Sequence, residues 1–223
     1  MAVTLRAVLF DLDGTLLDTA PDMVGALNEL RKEHSLAPLP FDAVRSAVSH
    51  GSARVVKAGF PDADTASALA LQQRFLEIYR GGLCRETRLF DGMDEVLNIL
   101  ASWRMKSGIV TNKPAWLTDP LLADLGLSAR FACVVSGDTV AERKPHPMPL
   151  LHAAALAGVS PSECIYVGDA LRDVQAAHAA AMPALVANYG YLHADEDPTM
   201  WGGDGYLNRP LDLLDWLKAS GRL

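Results

Sequence analysis

Two hydrophobic rhythms alternate along most of the chain. At residues 5–10, 108–111, 132–135, 164–167 and 184–187, apolar side chains crowd together without the strict alternation of a half-exposed sheet. Such runs predict strands buried on both faces. Between them, residues 94–103, 114–125, 147–157 and 171–181 carry apolar positions at helical spacing, and Pro114 and Pro147 open two of these stretches as first-turn residues do. Strand, helix, strand repeated in this way predicts an α/β fold, a doubly wound parallel sheet of Rossmann-like type with helices on both faces. Ligands of such sheets sit beyond the carboxyl ends of the strands.

One region breaks the rhythm. From about residue 16 to residue 88 the pattern is helical throughout, with helices predicted at 21–34, 42–48, 52–60 and 65–79 and punctuation at Pro38, Pro40, Gly51 and Pro61. That stretch is too long for a loop and apolar enough for a small core of its own. It predicts a helical domain at 16–88, inserted after the first strand as a cap, over a core formed by residues 1–15 and 89–223.

Composition narrows the function. The chain has 223 residues, half of them hydrophobic and about a fifth charged, as in a soluble globular protein. No apolar run approaches a membrane span or a signal-peptide core, so a cytoplasmic protein without membrane partners is expected, monomeric or homodimeric. Cys84, Cys133 and Cys164 are odd in number and widely spaced, which suggests neither a disulfide framework nor a zinc site. A net charge of −7 with no Lys/Arg cluster argues against nucleic acid. An acidic protein still binds a phosphate ester if cations are focused at one place.

Four strand ends carry the candidate chemistry. Asp11-Leu12-Asp13-Gly14-Thr15 follows the first strand, and two carboxylates at the end of a buried strand are costly unless a cation or a reaction needs them. Gly14 lets the backbone turn away from the sheet. Thr111-Asn112-Lys113 ends the second strand with hydroxyl, amide and ammonium groups that suit phosphate oxygens, although Thr-Asn before Pro114 also suits a helix cap. Lys144 follows the third strand, in a setting that a solvated loop lysine would share. Asp169 and Asp173 follow the fourth, four apart and therefore on one face of a helix start, where acids also suit the helix dipole. A doubly wound sheet gathers all these ends at one edge.

Asp-x-Asp, Thr, Lys and Asp-x3-Asp in this order resemble the haloacid dehalogenase superfamily, in particular its phosphatases with a helical cap after the first strand. The resemblance implies that Asp11 is the nucleophile and Asp13 the general acid and then base. It implies that Mg2+ is held by Asp11, Asp169 and the Asp13 backbone carbonyl, with Asp173 acting through water or by orienting Lys144. Thr111, Asn112 and Lys144 would hold the phosphate. The family usually places Ser or Thr after the last metal-binding Asp, whereas Ala170 stands here.

Other outcomes share parts of this pattern. A phosphomutase of the superfamily has the same core residues and passes the phosphoryl group to a sugar. A receiver-like signalling module also uses Asp, Thr and Lys at strand ends, but needs neither Asp13 nor a long helical insertion. A halide-removing hydrolase has no use for a second acid. Substrate choice falls to the cap, where Ser49-His50-Gly51-Ser52-Ala53-Arg54 is the candidate loop. Gly51 would permit close approach, while His50 and Arg54, with Lys113, would read an acidic group; a capping His50 and a solvated Arg54 are the plainer alternative. Val110 to Pro114 resembles the phosphoglycolate phosphatase branch. The tail, with His193 and Trp201, is similar to the branch's N-acetylmuramic acid 6-phosphate phosphatases. The implied substrate is a small phosphorylated carboxylate, 2-phosphoglycolate or N-acetylmuramic acid 6-phosphate.

Overall fold

The structure is a computed structural model and describes residues 3–223. In chain order, β1 (Ala7–Phe10) leads through β2 (Leu17–Asp18) into four helices, α1 (Ala20–Glu33), α2 (Phe41–Arg45), α3 (Ser52–Gly59) and α4 (Thr65–Arg80). There follow β3 (Arg88–Leu89), α5 (Met93–Ser102), β4 (Lys106–Val110), α6 (Ala115–Asp124), β5 (Cys133–Val135), α7 (Met148–Ala157), β6 (Cys164–Gly168), α8 (Leu171–Ala179), β7 (Ala184–Ala187), β8 (Gly205–Leu207) and α9 (Asp212–Ala219).

Six strands form one parallel sheet in the order β5-β4-β1-β6-β7-β8. This is the α/β architecture that the apolar runs predict. β1 lies between β4 and β6, with Phe10 opposite both Ile109 and Val167, so the chain leaves all three strands at one level. The absence of alternation in β1 has a direct cause. Val8 and Phe10 pack into a cluster with α5, α6 and α9, while Ala7 and Leu9 pack into another with α7 and α8. Both faces are covered, so every position must be apolar.

The four helices α1–α4 gather around a third cluster containing Met23, Leu27, Leu30, Val44, Val55, Leu71, Phe75 and Tyr79. Asp64 caps α4 by accepting from the Ser67 amide at 2.8 Å. The third cluster also takes in Leu117 of α6 and Tyr191 beyond β7, so the helical region is seated on the sheet's carboxyl edge by apolar contact.

Differences from the sequence-based expectations are local. The helix expected at 42–48 stops at Arg45, and a separate 3-10 turn, Val48–His50, carries the chain to Gly51. β2 and β3 form a small antiparallel ribbon where the chain enters and leaves the helical region, Leu17 opposite Leu89. Strands of two residues cannot express a period, and no pattern search would find them. β8 and α9 complete the sheet edge and its covering layer; Leu213, Leu214 and Leu217 of α9 face the first cluster. No helix among the described residues is long and apolar enough to cross a membrane.

Candidate active site

The bend after β1 puts the first two acids to different uses. Gly14 has φ +83°, and a Cβ there would lie 2.2 Å from Asp169 Oδ2, so the turn requires glycine both for its backbone and for its closeness to the neighbouring strand end. Asp11 is buried. Its Oδ1 accepts from the Leu12 amide at 2.7 Å and faces Lys144 Nζ at 2.8 Å. Its Oδ2 lies 3.7 Å from the Arg172 guanidinium. One oxygen is therefore fixed and the other remains toward the cavity. Burial raises the Asp11 carboxyl above its usual range and Asp173 adds to this, with Lys144 as the main opposing influence and Arg172 a smaller one.

Lys144 is buried among four oxygens. Besides Asp11 it lies 2.8 Å from Asp173 Oδ1, and it donates to the Val110 carbonyl at 3.0 Å and the Tyr166 hydroxyl at 2.7 Å. An ammonium has three protons, so one of these contacts is electrostatic only. The loop carrying it is braced by Asn112, whose amide accepts from Lys144 N and donates to Lys144 O, each at 3.0 Å. The Asn112 side chain thus holds the lysine loop, while the residue also lines the cavity. Thr111 is buried and its hydroxyl accepts from the Lys113 amide at 3.1 Å.

Beyond β6, Asp169 Oδ2 accepts from the Tyr191 amide at 3.0 Å and from the Ser49 hydroxyl of the 3-10 turn. Among the described residues the nearest donor to Oδ1 is the Thr15 hydroxyl, at 3.5 Å. Burial first, then Asp11 and Asp173, push the Asp169 carboxyl up to about 7. Oxygens of Asp11, Asp169 and Asp173 lie within 4.8 Å of one another. Three buried carboxylates with one poorly satisfied oxygen fit a hard divalent cation, which prefers oxygen donors. Asp173 Oδ2 accepts from the Ala170 amide at 3.0 Å, so the missing Ser/Thr hydroxyl does not leave it unheld.

Asp13 is turned away from this cluster. Its Oδ1 receives the Thr19 hydroxyl at 2.7 Å and lies 2.8 Å from Lys113 Nζ. Lys113 is thus bound to Asp13 while it lines the cavity. Desolvation lowers its proton affinity, but Asp13 and Tyr79 more than offset that and hold the ammonium above its usual range.

Asp11, Asp13, Thr111, Asn112 and Lys113 line a cavity of about 600 Å³ with the turn residues Ser49 to Ala53. His50 faces it and reaches Glu196 of the tail at 3.7 Å. Burial, the main influence, lowers the His50 pKa, against the pull of Glu196. Arg54 does not line the cavity; it is exposed on the first turn of α3. Gly51 has φ +82° and open space around its Cβ direction, so backbone conformation and not close approach requires glycine there. Arg143 and Arg172, not singled out from the sequence, are the arginines that do line the cavity. His193 sits 3.4 Å from Asp195, and Trp201 packs against the sheet's second cluster.

The central strand of the parallel sheet ends in Asp-x-Asp with a buried Lys–Asp–Asp cluster alongside, the arrangement that the order of motifs predicts. The chain belongs to the haloacid dehalogenase-like hydrolases, whose family pattern matches residues 8–187, and it is a phosphatase of that family. It is 45% identical to a phosphoglycolate phosphatase of Xanthomonas campestris pv. campestris, covering 96% of each chain. It is 37% identical to an N-acetylmuramic acid 6-phosphate phosphatase of Pseudomonas aeruginosa, over 97% of this chain and 96% of the relative. A crystal structure of a predicted phosphoglycolate phosphatase from Haemophilus somnus 129pt superposes with a TM-score of 0.84 at 25% identity, covering 95% of this chain and 97% of the other.

Proposed function

We propose that this chain is a magnesium-dependent phosphatase that hydrolyses a small phosphorylated carboxylate in the cytoplasm through an aspartyl phosphate on Asp11. The observation that carries the reading is the unequal use of the Asp11 oxygens: Lys144 and the Leu12 amide grip Oδ1, which aims Oδ2 at the cavity. A fixed nucleophile needs little further ordering to attack in line. Residues 16–88 act as the cap over a core of residues 1–15 and 89–223.

In the first half-reaction Asp11 Oδ2 bonds to phosphorus, the ester P–O bond breaks, and Asp13 gives a proton to the leaving alkoxide. In the second, a water oxygen bonds to phosphorus while Asp13 takes its proton, and Asp11 is released. Lys144, the hydroxyl of Thr111 and the backbone around Asn112 hold the phosphoryl oxygens, with Asp173 orienting Lys144. Asp11, Asp169 and the Asp13 backbone carbonyl would hold magnesium, which would supply charge neutralisation on those oxygens.

The cavity supports a substrate larger than a two-carbon acid. About 600 Å³, walled by Met23, Leu76, Trp116 and Leu117 as well as by charged groups, has room for an acylated sugar acid. N-acetylmuramic acid 6-phosphate, the substrate named for the Pseudomonas relative, suits it better than 2-phosphoglycolate. Release of inorganic phosphate from both compounds and from a panel of sugar phosphates, with and without magnesium, tests this. The sugar acid is expected to give the highest kcat/KM. A 2-phosphoglycolate preference would reverse the substrate assignment, and conversion of a sugar phosphate to its isomer without phosphate release would replace hydrolase by mutase.

A further inference from the structure

Tyr79 closes a chain of contacts that the reaction scheme leaves unused. It ends the apolar stripe of α4, is 1% exposed, and stacks on Phe75 with ring planes 7° apart. Its hydroxyl accepts from Lys113 Nζ at 2.9 Å, and the same ammonium lies 4.7 Å from its ring centre. Lys113 in turn sits 2.8 Å from Asp13 Oδ1. Three parts of the chain that are far apart in sequence thus meet in one buried line: helix α4, the loop after β4 and the loop after β1.

We infer that Tyr79 is a positioning residue for the acid–base step, holding Lys113 so that Asp13 presents its second oxygen to the leaving group. The inference rests on the reading of Asp13 as acid and base. Two donors converge on Asp13 Oδ1, Lys113 and the Thr19 hydroxyl at 2.7 Å, which leaves Oδ2 for proton transfer. A lysine side chain has four rotatable bonds and gives up much freedom to hold one direction. Tyr79 limits that freedom by offering its hydroxyl oxygen as a fixed acceptor. Burial pushes the Tyr79 hydroxyl up to about 12, so it stays neutral and leaves the charge of Lys113 to Asp13.

The anchor is itself fastened. Next in sequence, Arg80 donates to the Trp116 carbonyl at 2.9 Å and lies over the Trp116 ring at 5.4 Å. The carboxyl end of α4 is therefore pinned to the start of α6, three residues beyond Lys113.

Tyr79→Phe tests the inference because it removes the hydroxyl and keeps the ring. Protonation of the leaving oxygen matters for an alkyl phosphate and hardly at all for p-nitrophenyl phosphate, whose leaving group departs as a stable anion. The quantity to measure is kcat/KM for each, which reports only steps through the first irreversible one. In Tyr79→Phe the alkyl ester, N-acetylmuramic acid 6-phosphate or 2-phosphoglycolate, is expected to fall about tenfold while the aryl ester stays within about threefold, a loss typical of a misplaced catalytic group. Asp13→Asn should show the same split on a larger scale, about 100-fold or more, as loss of a general acid does. Phe75→Leu, which loosens the same helix without touching the hydroxyl, should lower the thermal midpoint and leave the ratio of the two esters unchanged. An unchanged ratio in Tyr79→Phe beside a shifted one in Asp13→Asn overturns the role of Tyr79 alone. An unchanged ratio in Asp13→Asn overturns the acid assignment, and the role of Tyr79 with it.

Discussion

The two walls of the cavity are built on different principles. At the carboxyl edge of the sheet the working groups are buried charges, each held by several neighbours: Lys144 by four oxygens, Asp11 by an amide and two cations, Asp169 by an amide and a hydroxyl. On the helical side the groups that touch the buried charges are neutral hydroxyls, Ser49 toward Asp169 and Tyr79 toward Lys113. A buried charge is expensive to keep and is retained where chemistry needs it. A buried hydroxyl on a helix costs little and is common. The first wall therefore resists change and the second can be re-cut for new substrates without disturbing the first.

The sharpest way to break this contrast is at Lys144. Lys144→Met leaves Asp11 and Asp173 facing each other without their shared cation. Turnover is expected to fall about 100–1,000-fold, as when one transition-state donor is lost. Stability should drop by about 3–5 kcal/mol, the cost of breaking a buried ion pair. Denaturant titration and steady-state rates measure both. A variant as stable as the parent would mean that the sheet edge is not the strained, charge-held region described here.

That wall was legible in the sequence because of its cost. Asp11, Asp13, Lys144, Asp169 and Asp173 stand out as charges at the ends of apolar runs, and the strand order brings them together. Three of the five predicted core strands end directly on residues of the site, and Lys144 lies in the loop after a fourth. The helical wall was legible as helices and as the loop at 49–54, but not as the particular side chains that do the contacting. Arg54 drew attention as a charge and lies outside the cavity, whereas Ser49, five residues earlier, touches Asp169. Nothing in a serine or in the last aromatic of a helical stripe marks it beforehand, since either side chain is ordinary in a packed core. β2 and β3, two residues each, are likewise invisible to any periodicity.

The pH dependence of the metal-free protein sharpens the picture of the first wall. Asp169 is held up at about 7 against 3.8 for a free side chain. Between those values the native state keeps a proton that the unfolded chain has released, so stability must fall as pH rises through the window. Thermal midpoints in chelator are expected to be lower at pH 8 than at pH 5, by a few degrees, about 2–4 °C for each kcal/mol lost in a chain of this size. Asp169→Asn should flatten that slope, and magnesium should raise the midpoint more at pH 8 than at pH 5. A midpoint that climbs with pH in chelator, or a slope as steep in Asp169→Asn as in the parent, would contradict the assignment; the raised Asp11 carboxyl accounts for a residual slope of the same sign.

The smallest effects belong to two exposed arginines, Arg143 in the loop after β5 and Arg54 on α3. Arg143 lines the cavity, and beyond the bond from its Nε to the Gly137 carbonyl at 2.6 Å its guanidinium keeps donors for a substrate carboxylate, so Arg143→Ala should lower kcat/KM for the carboxylate ester about tenfold, as a charge-assisted hydrogen bond does. p-Nitrophenyl phosphate should be hydrolysed almost as before. Arg54→Ala should change neither by more than about twofold, as for a surface position. Equal losses on both esters for Arg143→Ala would move that residue from reading the substrate to serving the chemistry.

The covalent step on Asp11 is tested most directly by trapping. A single turnover quenched with acid and reduced with borohydride converts an aspartyl phosphate to homoserine, which peptide mass spectrometry locates. Homoserine at position 11, dependent on substrate and absent in Asp11→Asn, is the expected result. Complete phosphate release with an unmodified Asp11 under every quench time, or homoserine at position 13, 169 or 173 instead, would contradict it.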